Sequence, residues 1–251
     1  MEQKILEIKE NVQTAKNVYK LVLTGDIEEH FPGQFVNIKV PGVYLRRPVS
    51  VCDYKEGELT LCYKTVGEGT KILSGLKPNE KLDVLTALGN GYDLSCAKGR
   101  VLLAGGGMGC APLYFLAGKL AQNNTSAEVV LGFNTENEVF FKDEFEALGL
   151  RATIASADGS VGVKGFVTDA LPQEYGYFYA CGPLPMMKAL NKAAKTSGQF
   201  SFEERMGCGF GVCMGCSLKV KDISNPDGSA VYKRICKEGP VFKREEIIWE
   251  D

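Results

Sequence analysis

Four cysteines near the C-terminal end of the chain have the spacing of metal ligands. Three lie within "CGFGVCMGC", residues 208–216, and the fourth follows in "RICKEGP". The pattern C-x4-C-x2-C with a later fourth cysteine is typical of a plant-type 2Fe–2S cluster. A structural zinc site is the alternative, but such sites more often pair two short C-x2-C knuckles. The predicted cluster ligands are Cys208, Cys213, Cys216 and Cys236. Glycines between them let the backbone curl around a cluster and bring N–H groups close to sulfur.

A second motif, "LLAGGGMGCAPL" at residues 102–113, has the form of a strand that runs through a glycine turn into a helix. Backbone amides in such a turn approach a ligand closely, and the helix N-terminus attracts anions, so a pyrophosphate is the expected occupant. The motif is not the dinucleotide fingerprint G-x-G-x-x-G, because Cys110 stands where the third glycine would fall. A tight connection without a ligand is the alternative. The predicted contacts are Gly105, Gly106, Gly107 and Gly109.

A third motif, "YACGPLPMM" at residues 179–187, repeats the transition from a buried strand to a helix. Ligands of open α/β sheets bind at the carboxyl ends of the strands, so Cys181, Gly182 and Pro183 are expected in the same crevice as the glycine turn. The Cys181 thiol is a candidate nicotinamide contact, or simply a small buried side chain. Glu136 and Glu138, which follow another strand, favour NAD over NADP because they would repel a 2′-phosphate, although each taken singly is equally compatible with a solvated loop carboxylate.

Two segments of the N-terminal half have the residue types of a flavin site. In "RRPVSVCD", residues 46–53, an arginine and the Ser50 hydroxyl flank a proline-stiffened strand, and together they suit a flavin phosphate and ring. In "VGEGTKIL", residues 66–73, Gly67, Gly69 and Thr70 open a helix, which makes a second pyrophosphate site plausible. Either segment taken alone is also compatible with ordinary barrel sequence.

The pattern of strands and helices predicts three units that position these motifs. Residues 1–97 contain short β segments separated by Gly, Pro and Asp, with one helical segment at 69–76, and predict an antiparallel barrel. Residues 98–200 alternate strands with helices and predict a parallel, doubly wound sheet. Residues 201–251 are rich in glycine and cysteine and predict a small cluster-binding module.

Composition limits the remaining classes of function. A formal charge of −2 argues against nucleic-acid and membrane-surface binding, which both favour a basic face. The charged segment "MEQKILEIKENVQ" lacks the apolar run of a signal peptide, so we expect a cytoplasmic protein in which nine cysteines serve metal or redox chemistry. The single histidine, His30, lies outside every motif, which disfavours a histidine-based triad.

The motifs together resemble the ferredoxin–NADP reductase superfamily. The shared features are "RPVS" in the barrel, a Gly-Thr helix start, "GGGMGCAP" and "CGPLPM". The ending "MGCGFGVCMGCSLKV…ICKEGPVFKREEIIW" is similar to that of the electron-transfer subunits of class 1B dihydroorotate dehydrogenases. The resemblance covers nearly the whole chain and implies that "LGNGYDL", residues 88–94, forms the barrel exit near the flavin. It also implies FAD contacts at Arg47, Pro48, Val49, Ser50, Lys64, Thr65, Val66, Gly69 and Thr70. The segment 221–230 is interpreted as a hairpin insertion.

This resemblance implies an iron–sulfur flavoprotein oxidoreductase that acts on NAD(H) in pyrimidine biosynthesis. Its cofactors would be NAD, FAD and the 2Fe–2S cluster, with FAD placed between a two-electron carrier and a one-electron carrier. Its partner would be an FMN-containing dihydroorotate dehydrogenase catalytic subunit, in a heterotetramer of two of each. We assign no acid or base for dihydroorotate oxidation within this chain. The alternatives are a diaphorase-type subunit of a hydrogenase, a subunit of a ferredoxin-linked transhydrogenase, and a zinc-bound protein without redox activity.

Overall fold

The N-terminal part of the chain is a closed antiparallel barrel of six strands in the order β1-β2-β5-β4-β3-β6. The computed structural model describes residues 1–222 and 229–249. Apolar side chains alternate into the barrel, as Leu59, Leu61 and Tyr63 do in β5, because successive strand residues point to opposite faces. The elements are β1 (Glu2–Ala15), β2 (Val18–Thr24), β3 (Phe35–Lys39), β4 (Arg47–Lys55), β5 (Glu58–Lys64), α1 (Glu68–Gly75) and β6 (Lys81–Leu88).

The middle of the chain forms a seven-stranded sheet in the order β10-β9-β8-β7-β11-β12-β15. Its strands β7 to β12 run parallel, and β7 and β11 are buried along their whole length because helices cover both faces. The strands are β7 (Val101–Gly106), β8 (Ala127–Phe133), β9 (Arg151–Ser156), β10 (Val163–Lys164), β11 (Tyr177–Cys181) and β12 (Gly198–Ser201). The helices are α2 (Cys110–Gln122), α3 (Lys142–Ala147) and α4 (Leu184–Ala193).

The C-terminal part contributes a hairpin and one strand of the large sheet. Strands β13 (Ser217–Lys221) and β14 (Ala230–Arg234) pair with each other, while β15 (Val241–Lys243) pairs antiparallel with β12. The interpreted hairpin insertion at 221–230 lies between β13 and β14, and its residues 223–228 lie outside the described part of the chain. Asn90, in the barrel exit, donates hydrogen bonds to Gly239 O (2.6 Å) and to Glu238 O (2.9 Å), which ties the module to the barrel.

The predicted fold class is confirmed, with local differences. The strand β6 was not predicted, because a bulge near Leu85 and the positive φ of Ala87 (49°) interrupt its alternation. The helix predicted from "PMMKALNKAAKTSG", residues 185–198, ends early, since α4 stops at Ala193, and the chain then turns back into the sheet as β12, which was not predicted. Among the described residues, no helix is both long enough and apolar enough to span a membrane.

Candidate functional site

The sheet reverses its winding between β7 and β11, and a cavity of about 720 Å³ opens at the carboxyl ends of these strands. Such a switch point is where open α/β sheets bind ligands. Both predicted turns reach it, because β7 and β11 pair in register at Gly105 and Cys181. The predicted residues that line the cavity are Lys64, Gly106, Gly107, Gly109, Gly182 and Pro183.

The two turns are packed directly against each other. A Cβ built on Gly109 would lie 2.1 Å from the Cys181 carbonyl oxygen and 2.6 Å from Gly182 N. A Cβ on Gly106 would lie 2.4 Å from Met186 Sδ. The close approach of backbone therefore requires glycine at position 109, whereas at position 106 the nearest atom belongs to the Met186 side chain. Both glycines line the cavity.

Cys181 and Gly105 face away from the cavity. The Cys181 side chain is fully buried in the core under α2, and burial raises the pKa of its thiol, with a further contribution from the nearby charge of Glu203. Gly105 lies on the same side, since a Cβ there would be 3.0 Å from Cys110 Sγ. The role of Cys181 as a nicotinamide contact stays a prediction.

One ion pair joins the barrel to the sheet at the cavity. Lys64, the last residue of β5, donates to Glu138 Oε1 at 3.1 Å, and Asn134 Nδ2 donates to Glu138 Oε2 at 2.9 Å. Burial raises the pKa of Glu138, but these two hydrogen bonds outweigh it and leave that pKa below its usual value. Glu138 therefore carries a negative charge in the cavity wall, whereas Glu136 is exposed and not part of the lining.

Three cavity or loop-contact residues were not found from the sequence. Glu203, which follows β12, is exposed to the cavity that it lines, and desolvation by the surrounding protein raises the pKa of its carboxyl. Phe166 lines the rim with 68% of its surface exposed. Asn37 in β3 is 1% exposed and contacts the cysteine loop. Asn37 and Phe166 stand far in sequence from the glycine and cysteine motifs, and Glu203 lies five residues before Cys208 but belongs to no motif, so no local pattern marks them.

The predicted flavin residues Arg47 and Gly69 meet at the start of α1. A Cβ on Gly69 would lie 2.5 Å from Arg47 Nε, so the guanidinium rests on the first turn of the helix. Thr70 Oγ1 accepts hydrogen bonds from Val66 N (3.0 Å) and Gly67 N (3.2 Å), which fixes the turn before the helix. A guanidinium beside a helix N-terminus is suited to a phosphate group.

The other predicted flavin residues lie on β4 and at the end of β5. Val49 is buried inside the barrel, so its neighbours Pro48 and Ser50 point to the outer face of the strand. Thr65 N donates to Asn17 O at 2.8 Å, which holds this turn against the barrel, and Val66 is 82% exposed. The residues predicted to contact FAD thus run from the outer face of β4 to the Lys64 side of the cavity.

The fold of the C-terminal hairpin brings two predicted cluster ligands together. Cys216 directly precedes β13, Cys236 follows β14, and Ser217 pairs with Arg234 in the hairpin. Cys236 N donates to Cys216 Sγ at 3.4 Å. Cys216 and Cys236 are twenty positions apart in the sequence, and the hairpin between them brings them into contact.

The first two cysteines form a second pair within the loop. Burial raises the pKa of Cys208, but backbone N–H groups of Cys213, Phe210 and Val212 outweigh it and lower that pKa to about 6. The Val212 N–H donates to Cys208 Sγ at 3.3 Å. At the other pair, burial and the Cys216 thiol raise the pKa of Cys236 to about 12.

These four thiols fit an iron–sulfur cluster by their chemistry and surroundings. N–H groups directed at sulfur are what such clusters use to stabilise thiolates and tune potential. Glycines surround the sulfurs, since Cβ atoms on Gly207 and Gly215 would lie 3.3 and 3.5 Å from Cys213 Sγ. Within residues 1–222 and 229–249, the thiols form two pairs, and no group of three or more His, Cys, Asp or Glu side chains has the arrangement of a metal site.

His30 has a structural role in the barrel. Its ring is fully buried, with Nδ1 2.8 Å from Glu28 O and Nε2 accepting from Ala87 N at 3.1 Å. These contacts fix the neutral tautomer that carries its proton on Nδ1, and burial lowers the pKa of the ring. His30 lies outside the cavity lining and the cysteine loop, and its contacts are those of a buried structural residue.

Comparison with known proteins defines the class first. Residues 103–192 match the oxidoreductase NAD-binding domain, and residues 203–248 match the iron–sulfur cluster binding domain of dihydroorotate dehydrogenase B. The molecule is thus an NAD-binding iron–sulfur oxidoreductase with a ferredoxin reductase-like fold. A chain of the NADH-dependent reduced ferredoxin-NADP oxidoreductase, solved to study flavin-based electron bifurcation, shares this fold. It is 32% identical, covers 97% of this chain and 90% of its own, and superposes with a TM-score of 0.86.

The curated relatives narrow the class to one family. The electron transfer subunit of dihydroorotate dehydrogenase B (NAD(+)) from Geobacillus sp. strain WCH70 is 42% identical over 99% of this chain and 99% of its own length. The subunit of the same name from Fusobacterium nucleatum is 41% identical over 96% of each chain. The chain belongs to the family of dihydroorotate dehydrogenase B (NAD(+)) electron transfer subunits. The resemblance drawn from the motifs is confirmed, and so are the cofactors predicted from it, as those of this family.

Proposed function

We propose that the chain passes electrons between NAD(H) and the FMN of a catalytic dihydroorotate dehydrogenase subunit, by way of FAD and a 2Fe–2S cluster. The observation that carries the proposal is the order of the sites. The glycine-turn cavity borders Lys64, the proposed flavin residues continue from there onto the outer face of β4, and the neighbouring strand β3 contacts the cysteine loop. A two-electron carrier, a flavin and a one-electron carrier therefore fit in sequence along one side of the molecule.

The proposed NAD site is the cavity between the two turns. Its backbone amides would bind the pyrophosphate, Glu138 would face the ribose, and the Phe166 ring would offer an apolar face to the adenine. Glu203 would lie at the inner part of the cavity and accept a hydrogen bond or proton there, depending on pH. The proposed NAD contacts are Gly106, Gly107, Gly109, Gly182 and Pro183, which line the cavity, and Gly105 and Cys181, which face away from it and would contribute only backbone groups.

The proposed flavin and cluster residues hold their groups in place. Arg47 and the first turn of α1 would bind the flavin phosphates, while Pro48 and Ser50 would support the ring. The bound flavin would supply the exchange between two-electron and one-electron chemistry. The remaining proposed flavin contacts are Val49, Lys64, Thr65, Val66, Gly69 and Thr70, and the proposed cluster ligands are Cys208, Cys213, Cys216 and Cys236.

The proposed partner surface is the cysteine loop. Phe210, Val212 and Met214 are exposed there by 40%, 72% and 49%, and apolar side chains grouped on a surface are typical of a protein interface. We further propose a heterotetramer with two copies of each subunit. The proposed functional units are 1–97 for FAD, 98–200 for NAD and 201–251 for the cluster.

We also propose that the protein acts in the cytoplasm in pyrimidine biosynthesis. All nine cysteines are free thiols, as is usual in a reducing compartment. The biosynthetic role follows from the catalytic partner proposed above, since the family's electron transfer subunits are named for dihydroorotate dehydrogenase.

The test is an absorption spectrum of the anaerobically purified protein, recorded before and after NADH. Flavin and cluster bands that both bleach would support the electron path. With the FMN-containing catalytic subunit, dihydroorotate and NAD⁺ added, dihydroorotate should be oxidised to orotate while NAD⁺ is reduced to NADH. A colourless protein that contains zinc would contradict the proposal, and so would a coloured protein that yields no coupled orotate.

A second candidate function is supported by the 32% identity to the NADH-dependent reduced ferredoxin-NADP oxidoreductase chain over 97% of this chain. In that case the chain would serve a ferredoxin-linked transhydrogenase or a related diaphorase-type complex. NAD and flavin chemistry would be shared, so the spectrum alone would not separate the two functions. Reduction of ferredoxin or NADP⁺ with a different partner, without coupled orotate formation, would favour this second function.

A further inference from the structure

The outer face of strands β3 and β4 lies between the proposed flavin residues and the cysteine loop. In β3, Val36 and Ile38 point into the barrel core, so Phe35 and Asn37 point outward. Phe35 pairs with Ser50 and Asn37 pairs with Pro48 in the antiparallel register. Paired residues share a face, so these four side chains form one group, which we call the β3–β4 patch.

The patch is in contact with the cluster-binding module. Phe35 packs in the same apolar cluster as Cys216 and Cys236. Asn37, 1% exposed, donates from Nδ2 to the carbonyl oxygen of Cys208 at 3.2 Å. That carbonyl can only accept, so its contact with Asn37 fixes which side-chain atom is the nitrogen.

The cysteine loop is shaped to pass over Asn37. Gly209, the residue after Cys208, has a φ of +78°, and a Cβ there would lie 2.3 Å from Asn37 Nδ2. The loop therefore needs glycine at this point both for its backbone conformation and for space. Such a close approach brings a predicted cluster ligand within one residue of the barrel surface.

The backbone of Asn37 is itself held firmly. Arg46 NH1 donates to Asn37 O at 3.3 Å, and Arg46 NH2 lies 2.9 Å from both carboxylate oxygens of Asp83 in β6. A guanidinium paired in this way with a carboxylate has a fixed orientation. Asn37 is thus a fixed point on the barrel from which the loop is held.

One atom of Asn37 remains unsatisfied. Its Oδ1 is buried and accepts no hydrogen bond from the described residues. A buried acceptor without a donor destabilises a folded protein, and native proteins keep such atoms where a bound group or water completes the bond. The atom belongs to the β3–β4 patch, where a flavin and a cluster would meet.

We infer that Asn37 is the positioning residue that couples the cluster loop to the flavin-binding strand. Its amide nitrogen fixes the backbone at Cys208, and its amide oxygen accepts from a donor that is present when the cofactors are bound. This role rests on the proposed function and adds to it a residue that sets the geometry between flavin and cluster. The predicted consequence is that loss of Asn37 affects the cluster and its reduction more strongly than it affects hydride transfer from NADH to the flavin.

The test uses Asn37→Leu, which keeps the size and removes both hydrogen-bonding groups, and Asn37→Asp, which keeps an acceptor and removes the donor. The matched control is Asn11→Leu, because the Asn11 amide also donates to backbone carbonyls, at Leu73 (2.9 Å) and Leu76 (3.0 Å) at the C-terminal end of α1, without touching the cysteine loop. In each purified holoprotein we would record the EPR spectrum of the reduced cluster, the rates at which NADH bleaches the flavin and then the cluster, and amide hydrogen exchange over residues 207–215.

Both Asn37 variants should show altered EPR g values and slower cluster reduction, with a smaller change in the rate of flavin reduction. Hydrogen exchange over residues 207–215 should rise about fivefold, equivalent to about 1 kcal/mol at 1.4 kcal/mol per factor of ten. Asn11→Leu should lower the unfolding temperature and leave these signals alone. The inference would be overturned if both Asn37 variants kept the EPR spectrum and the hydrogen exchange of the wild type. It would also be overturned if flavin reduction slowed as much as cluster reduction. If the wild type lacked flavin and cluster, the proposed function would fail, but the exchange comparison would still test the contact.

Discussion

Gly109→Ala tests whether the close packing of the two turns is required for nucleotide binding. Gly109 has a φ of −63°, which alanine adopts freely, so backbone strain plays no part. The new methyl would lie 2.1 Å from the Cys181 carbonyl oxygen and 2.3 Å from its carbon. Because these are backbone atoms, no side chain can rotate away, and the turns must separate by more than ~1 Å to reach ordinary contact near ~3.5 Å.

The size of the effect follows from this displacement. Overpacking typically costs about 1–3 kcal/mol, and a collision between backbone segments belongs at the upper end. In a chain of this length about 3 kcal/mol corresponds to a fall in Tm of about 6–12 °C. A shift of about 1 Å in groups that orient a substrate also predicts a KM for NADH raised by about tenfold to a hundredfold.

The control for Gly109→Ala is Gly118→Ala, in the interior of α2. A Cβ there has no neighbour within 4 Å, so alanine should stabilise the helix by about 0.5–1 kcal/mol. Thermal unfolding and NADH-dependent reduction of ferricyanide would be measured for both. If Gly109→Ala kept the wild-type Tm and KM while Gly118→Ala behaved as expected, the argument from close packing would be refuted.

Three further variants test charge, protonation and ligation. Glu138→Gln should raise kcat/KM for NADPH by about tenfold, because it removes a cavity charge that repels a 2′-phosphate. The control Glu136→Gln lies outside the cavity lining and should not raise it. Equal effects of the two variants would mean that other residues discriminate NAD from NADP. Desolvation raises the pKa of Glu203 above 4.5, so the free energy of unfolding of the wild type should fall as the pH rises from 4.5 through that raised pKa. Denaturant titrations of Glu203→Gln should show no such fall. If the variant kept the pH dependence of the wild type, the argument would be contradicted. Cys213→Ser should abolish the cluster absorbance and leave the flavin bands. The control Cys96→Ser changes a partly exposed cysteine outside the loop and should keep both sets of bands. If Cys213→Ser retained the cluster, Cys213 would be excluded as a ligand.

The sequence predicted most of the fold because its elements carry strong local signals. Strand β7, helix α2 and strand β8 follow one another with clear changes of period, and the structure confirms them within a few residues. Strand β6 was missed because its bulge breaks the alternation on which the prediction depends. Strand β12 was missed because it has only four residues and begins within five residues of the end of α4, so the helical pattern was extended up to it.

The site was predicted only where chemistry depends on residues close in sequence. The glycine turns and the cysteine spacing can be recognised in short stretches of sequence, because a close approach to phosphate or to a cluster needs those residue types at short intervals. Glu203, Phe166 and Asn37 act through contacts made only after folding. Asn37 meets Cys208 across 171 positions of the chain, and no local pattern of strand β3 distinguishes it from an ordinary buried amide.

Strand β15 has a consequence for how this chain can be divided. It lies at the edge of the large sheet beside β12, and Phe202 N donates to Pro240 O at 3.0 Å just beyond that pairing. A fragment that stopped near residue 200 would leave unpaired backbone groups along a sheet edge, which is a template for aggregation. Expression of the nucleotide-binding part alone is therefore expected to yield insoluble material, and deletions at the C-terminal end should melt the sheet and the cysteine loop in one cooperative transition.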